Sequence, residues 1–243
     1  MRLEEQAHIM LKRKIETYLV DWKKSEDKKP LVIKGIRQCG KTYIVRKFAE
    51  ENYENVVYMN FILEPDKKSA FSGNIDVDTI ILNLSALIPG SRFVSGKTCI
   101  IFDEIQEAPR GLTALKYFQE KAPQYHVVAA GSLLGIAMHS NDSFPVGKVD
   151  FMDLYPLSFS EFLEAVGQEA FARLLAKKDW GLIAAFRSKL IDLLKQYYYV
   201  GGMPEVVNAF INHKDYAEVR QLQQTILDSY DRDFSKHAPI AEV

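Results

Sequence analysis

The sequence predicts an α/β protein in which a domain with a parallel, three-layer sheet is followed by a helical domain. Five short apolar stretches of strand character alternate with mostly helical segments before Ser158, and parallel strands require such crossover connections. From Ser158 onward the apolar spacing is helical throughout. We therefore expect one domain over residues 1–156, including an N-terminal helix, and a second, helical domain over residues 157–243.

The elements alternate in a regular order along the chain. Apolar positions three and four residues apart predict an amphipathic helix over residues 3–25. The predicted strands are 31–35, 55–61, 98–104, 126–132 and 149–155, and the helices between them are 42–51, 77–87 and 111–122. The predicted helices of the second domain are LSFSEFLEAV, GLIAAFRSKLIDLLKQYYY, PEVVNAFIN and YAEVRQLQQTILDSYDRDF.

Composition limits the class of protein. Hydrophobic residues make up 47% of the chain and charged residues 26%, which is ordinary for a globular protein with a sizeable core. No apolar run approaches the roughly 18 residues of a membrane span, and the N-terminus is too charged for a secretory signal. We therefore expect a cytoplasmic protein without a membrane partner. Cys39 and Cys99 lack CxxC spacing and are interpreted as reduced packing residues.

A phosphate-binding loop is indicated by the stretch GIRQCGKT over residues 35–42. It follows an apolar strand and leads into a helix, so that backbone N–H groups and the positive end of the helix face phosphate oxygens. Lys41 is placed to reach the β- and γ-phosphates, and Thr42 presents its hydroxyl to Mg²⁺. The structural alternative is a plain glycine turn. The residues expected to contact the nucleotide here are Gly35, Ile36, Arg37, Gln38, Cys39, Gly40, Lys41, Thr42 and Tyr43.

The stretch CIIFDE over residues 99–104 delivers two carboxylates at the end of a buried strand, where the ligands of such sheets bind. We expect Asp103 to bind Mg²⁺ through water and Glu104 to accept a proton from water that attacks the γ-phosphate. Because a base that activates water would waste nucleotide in a small-molecule kinase, hydrolysis is favoured over phosphoryl transfer. A solvated strand end is the alternative interpretation.

Two more polar positions follow these strands. Ser132 ends the stretch HVVAAGS and is expected beside Asp103, where its hydroxyl would hydrogen-bond the γ-phosphate or the attacking water. The sequence is equally compatible with Ser132 as the N-cap of a helix beginning at Leu133. Gln106 and Glu107 either position water, couple the site to a partner, or form a simple polar loop.

Together these features resemble an AAA+ ATPase. The stretches GIRQ-GKT, DEIQ and GGMPEVV more narrowly resemble a large family of prokaryotic AAA+-type ATP-binding proteins, over about residues 5–240. The resemblance implies a P-loop NTPase core with sheet order 5-1-4-3-2, a C-terminal helical lid, and ATPase activity with ATP and Mg²⁺. It also implies that Met203 and Pro204 contact the adenine, although the sequence alone favours a corner between two helices there.

The chain differs from the family at its C-terminal end and at the arginine finger, and its N-terminal helix adds two candidate site residues. Relatives continue into a C-terminal domain of unknown function that resembles restriction endonucleases, so we expect an ATPase module without that domain and without nuclease activity. AAA+ oligomers usually supply an arginine finger before the fifth strand. This chain has Lys148 there, either as a substitute or as an ordinary surface lysine. Arg13 and Trp22 of the N-terminal helix are candidates to close over the base, and core packing explains Trp22 equally well.

Three functions remain open. The leading one is an ATPase whose binding and hydrolysis of ATP move the helical lid and control a protein partner or a further C-terminal domain. The second is a signalling switch that holds nucleotide and turns it over slowly. The third is a nucleic-acid-associated ATPase that uses the basic residues Lys23, Lys24, Lys28 and Lys29, against which the net charge of −1 argues. The oligomeric state stays open.

Overall fold

The computed structural model describes residues 11–132 and 147–237, with side chains described as far as residue 232. The described chain forms two compact units. Ile15–Tyr155 form the first, which we call the α/β unit. The described residues of Met1–Lys14 and Pro156–Val243 form the second, which we call the helical unit.

A five-stranded sheet forms the centre of the α/β unit. Its strands are β1 Leu31–Lys34, β2 Asn55–Asn60, β3 Thr98–Asp103, β4 His126–Gly131 and β5 Asp150–Asp153. Their order is β2-β3-β4-β1-β5, and each of the pairings along it is parallel. Counted from the other edge this is 5-1-4-3-2, so the predicted three-layer parallel sheet is confirmed. The order places the carboxyl ends of β1, β4 and β3 side by side.

Helices cover both faces of this sheet. They are α1 Ile15–Lys24, α2 Lys41–Asn52, α3 Val77–Leu87 and α4 Gly111–Lys121. Because successive side chains of a strand face opposite layers, β3 sends Ile100 and Phe102 into one apolar core with α3 and α4. It sends Cys99 and Ile101 into the other core, with α1 and α2. Cys39 lies in that second core too, and both cysteines are fully buried free thiols.

The start of α1 differs from the sequence prediction. A helix was expected over residues 3–25, but residues 11–14 are not helical and α1 begins at Ile15; residues 1–10 lie outside the described chain. Leu11 instead packs in the core of the helical unit, and Lys14 N donates to Glu161 Oε1 (2.9 Å). Residues 11–14 therefore group with the helical unit, whereas the predicted domain boundary placed them with the sheet.

The helical unit contains six described helices around an apolar core. They are α5 Phe159–Ala165, α6 Glu169–Lys177, α7 Trp180–Ala185, α8 Arg187–Val200, α9 Pro204–His213 and α10 Tyr216–His237. A capping box formed by Ser158 and Glu161 starts α5. The single helix predicted over residues 181–199 is divided at Phe186 into α7 and α8. Within the described ranges, no helix combines the length and hydrophobicity that a transmembrane span requires.

The GGMP stretch forms a tight corner between α8 and α9. A Cβ atom on Gly202 would lie 2.3 Å from the carbonyl oxygen of Leu157, so a side chain does not fit there. Gly201 has a φ of 76°, which glycine adopts readily. Pro204 occupies the first position of α9, where its missing N–H is not needed. The structure thus contains the helix corner that the sequence alone favoured.

Candidate functional site

The loop between β1 and α2 has a shape that depends on glycine. A Cβ atom on Gly35 would lie 2.3 Å from the carbonyl oxygen of Leu154, so this position admits no side chain. Gln38 and Gly40 have φ angles of 62° and 93°, in the left-handed region that costs glycine least. Cys39 anchors the loop in the core shared with α1 and α2. The predicted phosphate loop is therefore a tightly packed turn at the end of β1.

The first turn of α2 presents backbone donors at this loop. The first intrahelical hydrogen bond of α2 runs from Ile44 N to Gly40 O (3.0 Å). The N–H groups of residues 41–43 consequently have no partner inside the helix. These donors and the positive end of the helix dipole favour an anion at this position.

Lys41 closes over the loop that precedes it. Its Nζ donates to the carbonyl oxygens of Gly35 and Ile36, at 2.8 Å each, and the residue is only 6% exposed. Burial lowers the pKa of Lys41, although the nearby charges of Glu104 and Asp103 act in the opposite direction. The ammonium group of Lys41 thus donates to the loop carbonyls and lies near the carboxylates of Asp103 and Glu104.

Asp103 ends β3 as a fully buried carboxylate that accepts four hydrogen bonds. Its Oδ2 accepts from Thr42 Oγ1 (2.7 Å), Tyr58 OH (2.9 Å) and Asn60 Nδ2 (3.2 Å). Its Oδ1 accepts from the backbone N–H of Glu104 (3.1 Å). Burial, with help from Asp103, raises the pKa of Tyr58 to about 12, so the phenol remains a donor. The two sequence motifs therefore meet directly, through Thr42 and Asp103.

Tyr58 and Asn60 are site residues that the sequence analysis missed. Both lie on β2, whose pairing with β3 places Asn60 opposite Asp103. A signal was present, because two polar side chains at alternating positions share one face near the end of an otherwise apolar strand. Which residue of β2 stands opposite the carboxylate depends on the register, which the sequence pattern did not define.

The contact between Thr42 and Asp103 fits the Mg²⁺ site that was predicted for them. A hydroxyl and a carboxylate oxygen are the hard donors that Mg²⁺ prefers, and this ion is usually held by one or two protein groups together with phosphate and water oxygens. Across residues 11–132 and 147–237, no group of three or more His, Cys, Asp or Glu is arranged to hold a metal by itself.

Glu104 turns its side chain toward the end of β4. Its backbone is left-handed, with φ 53° and ψ 47°, a conformation that is uncommon outside glycine and concentrates at functional sites. Oε2 accepts hydrogen bonds from Gln106 Nε2 (2.6 Å), Ser132 Oγ (3.1 Å) and Ser132 N (3.3 Å). Ser132 therefore lies beside the acidic pair, bound to Glu104. The helix that it was alternatively expected to cap lies outside the described residues.

Other predicted contact residues differ in their surroundings. Ile36 and Tyr43 are exposed on the loop and the first turn of α2, where they can meet a ligand. Lys148 forms a surface ion pair with Glu120 (3.0 Å), as an ordinary surface lysine does. Pro204 belongs to the helical unit, and its contact with a nucleotide stays a prediction.

The N-terminal candidates for covering the base are both buried. Arg13 forms an ion pair with Glu161 (3.2 Å) inside the helical unit, and Trp22 packs in the α/β core, where its Nε1 donates to Lys29 O (2.9 Å). Packing explains each of them. Of the basic residues weighed for nucleic acid, three donate to backbone carbonyls of their own unit: Lys23 to Asn52, Lys28 to Ser25 and Lys29 to Gly147.

Comparison with known proteins identifies the family of the chain and relatives of its fold. Residues 27–163 match the AAA domain family, and residues 191–243 match a family described as a domain of unknown function (DUF8612). No curated protein matches the sequence. The Walker-type ATPase PABY2304 of Pyrococcus abyssi aligns with a TM-score of 0.58 and 14% identity, over 98% of this chain and 79% of its own. That likeness shows a shared fold.

Two further solved structures are more distant. The ORC1 protein of Aeropyrum pernix in complex with DNA has a TM-score of 0.42 and 14% identity, over 72% of this chain and 58% of its own. Drosophila ORC bound to DNA has a TM-score of 0.44 and 13% identity, over 81% of this chain and 53% of its own. The chain spans little more than half the length of either protein. Likenesses this weak say nothing about the ligands of the chain.

Proposed function

Because the chain belongs to the AAA domain family, a family of ATP-binding ATPases, we propose that it binds ATP with Mg²⁺ and hydrolyses it to ADP and phosphate. The observation that carries this proposal is the 2.7 Å hydrogen bond from Thr42 Oγ1 to Asp103 Oδ2, which joins two motifs 61 residues apart. It brings the proposed phosphate loop and the proposed acidic pair into one site.

Nucleotide binding rests on the loop and on α2. The backbone N–H groups of residues 41–43 and the positive end of α2 bind phosphate oxygens. Lys41 exchanges its two carbonyl acceptors, Gly35 O and Ile36 O (2.8 Å each), for oxygens of the β- and γ-phosphates. The other predicted contact residues, Arg37, Gln38 and Cys39, contribute the backbone of the same loop.

Thr42 and Asp103 hold the metal in this proposal. When bound, Mg²⁺ neutralises charge on the β- and γ-phosphates. Tyr58 and Asn60 fix the Asp103 carboxylate through their hydrogen bonds to Oδ2 (2.9 and 3.2 Å). Asp103 is thereby oriented before any ligand arrives, which limits the reorganisation that binding requires.

Glu104 acts as the general base. It accepts a proton from the water that attacks the γ-phosphorus, while the bond to the oxygen bridging the β- and γ-phosphates breaks. Ser132 orients this base, since its Oγ and backbone N–H both donate to Glu104 Oε2 (3.1 and 3.3 Å). We further propose that the nucleotide cycle acts on the helical unit as a lid, with Met203 and Pro204 toward the adenine, and thereby controls a protein partner.

Two lysines of α2 provide a matched test of nucleotide binding. Lys41→Ala should weaken the binding of ATP and Mg²⁺ by more than about tenfold, a loss of at least ~1.4 kcal/mol, and should abolish phosphate release. Lys47→Ala, which removes ion pairs to Glu16 and Glu51, should bind ATP like the wild type. Titration calorimetry and a phosphate-release assay measure both. Wild-type affinity in Lys41→Ala would contradict the proposed site.

A further inference from the structure

The side chain of Gln106 carries a buried acceptor atom, Oε1, that has no role in the reaction proposed above. It lies in the 3₁₀ turn Ile105–Glu107 directly after β3. Its Nε2 donates to Glu104 Oε2 (2.6 Å), but its Oε1 is buried and accepts no hydrogen bond from any residue that the structure describes. Leaving such an atom without a partner costs about 1–3 kcal/mol, so native proteins seldom keep one without a reason.

The orientation of this amide is determined by its neighbour. A carboxylate can only accept hydrogen bonds, so the NH₂ group of Gln106 must face Glu104 and the carbonyl oxygen must face away from that bond. Turning the amide round would set two acceptors against each other. The unpartnered Oε1 is therefore a consequence of the contact with Glu104.

Glu104 itself has one oxygen with spare accepting capacity. Its Oε2 receives three donors, from Gln106 and from the hydroxyl and backbone N–H of Ser132. Its Oε1 has only a long contact with Ser132 Oγ (3.4 Å). Two acceptors, Glu104 Oε1 and Gln106 Oε1, thus remain available on side chains that are hydrogen-bonded to each other.

We propose that Gln106 orients the attacking water together with Glu104, a role that rests on the proposed hydrolysis of ATP. The water donates one hydrogen to Glu104 Oε1 and the other to Gln106 Oε1. With both hydrogens engaged, a lone pair of the water oxygen is left to face the γ-phosphorus. A glutamine side chain orients the attacking water in some other nucleotide hydrolases.

The chemical step balances with these two residues. The water oxygen forms a bond to the γ-phosphorus as the bond to the β,γ-bridging oxygen breaks, and ADP leaves. The hydrogen that faces Glu104 passes to the carboxylate as a proton. The hydrogen that faces Gln106 stays on the oxygen that becomes part of the phosphate, because an amide oxygen is too weak a base to take it.

The test compares two glutamines whose side chains share the same property. Gln119, on α4, also has a buried Oε1 without a partner in the described structure, but it lines a small cavity with Trp22 and Pro30, near the start of β1. Steady-state phosphate release and ATP binding would be measured for wild type, Gln106→Leu, Gln106→Met and Gln119→Leu. The two variants at residue 106 guard against a single substitution that fails to fold.

Gln106→Leu and Gln106→Met should each lower kcat by about 10–100-fold, as misplaced reactants do, while KM and the Kd for ATP stay within about twofold. Gln119→Leu should leave all three unchanged. A kcat that is unchanged or raised in the Gln106 variants would overturn the role, since the contact would then be idle or a brake on Glu104. A parallel loss of kcat and ATP affinity would overturn it as well, because it indicates a structural role. Absence of phosphate release from the wild type would instead refute the hydrolysis itself, and this role with it.

Discussion

Asn60 uses both ends of its amide to join the site to the turn that follows β2. Its Nδ2 donates to Asp103 Oδ2 (3.2 Å), and its Oδ1 accepts from the backbone N–H groups of Ile62 and Leu63 (3.0 Å each). The residue is 8% exposed, so water does not readily replace these bonds. One side chain thus stabilises a buried carboxylate and a turn at once.

Replacing Asn60 by Ala should lower the free energy of unfolding by about 2–3 kcal/mol, because three hydrogen bonds are lost. Asp103 Oδ2 loses one of its three donors, and the N–H groups of Ile62 and Leu63 lose their acceptor. Asn83→Ala is the matched control, since it removes a single hydrogen bond, from Asn83 Nδ2 to Ala70 O (3.2 Å). We expect it to cost about 1 kcal/mol or less. Urea denaturation measures both variants, and equal losses would contradict the role assigned to Asn60.

At this scale the sequence predicted the residues that carry a motif and missed those that support them. Thr42 and Asp103 were identified because glycine spacing and a strand ending in acids have a chemical meaning by themselves. Tyr58 and Asn60 were not identified, because their importance comes from the register of β2 against β3. Gln106 was only weighed, since its orphan oxygen appears once the contact with Glu104 is known.

A half-buried histidine at the start of β4 makes the α/β unit sensitive to acid. Nδ1 of His126 hydrogen-bonds the Tyr53 hydroxyl (2.9 Å), and its ring lies edge-on to Trp22. Burial, together with the positive charges of Lys28 and Lys23, lowers the pKa of His126 to about 4. The folded unit therefore keeps this imidazole neutral.

The stability of the α/β unit should fall as the pH decreases from about 6.5 toward 4. Over that range the unfolded chain, with a histidine pKa of about 6.5, binds a proton that the folded His126 does not. The contribution of His126 to stability is thus fully present above the unfolded pKa and decreases below it. Because the pKa differs by about 2.5 between the two states, the loss is at most about 3.4 kcal/mol.

Trp22 fluorescence in a Trp180→Phe background can follow this unfolding, since Trp180 is 73% exposed and lies in the other unit. His126→Gln should reduce the slope of stability against pH between about 6.5 and 5, where few carboxylates titrate. A wild-type slope of zero there would contradict the account.

The predicted helices and strands agree with the structure where capping residues and apolar spacing alone determine them. Helix α3 spans Val77–Leu87, as predicted, because Asp76 caps it and its apolar spacing is regular. The prediction was wrong where tertiary contacts overrode spacing: residues 11–14 continue the apolar rhythm, yet they leave the helix to pair with Glu161 and to bury Leu11. Helix spacing also did not reveal the break at Phe186.

At the scale of the whole molecule, most of the family match and the residues proposed for catalysis fall on the α/β unit. The match to the AAA domain covers residues 27–163, and Lys41, Thr42, Asp103, Glu104 and Ser132 all belong to the α/β unit. The sheet order could be anticipated because a motif resemblance supplies a topology that composition and periodicity do not. The partner that a nucleotide cycle would control has no comparable signal in the sequence.

The central claim is that Glu104 activates water for ATP hydrolysis. The most direct measurement is phosphate release from ATP and Mg²⁺ by wild type, Glu104→Gln and Glu107→Gln, with ATP binding measured on the same samples. Glu107 is the matched control, since it lies in the same turn and pairs with Lys68 (3.7 Å). We predict that Glu104→Gln binds ATP like the wild type but loses at least about 100-fold in kcat, and that Glu107→Gln keeps both. Wild-type turnover in Glu104→Gln, or binding without turnover in all three proteins, would contradict the claim, and the latter result would indicate a nucleotide switch.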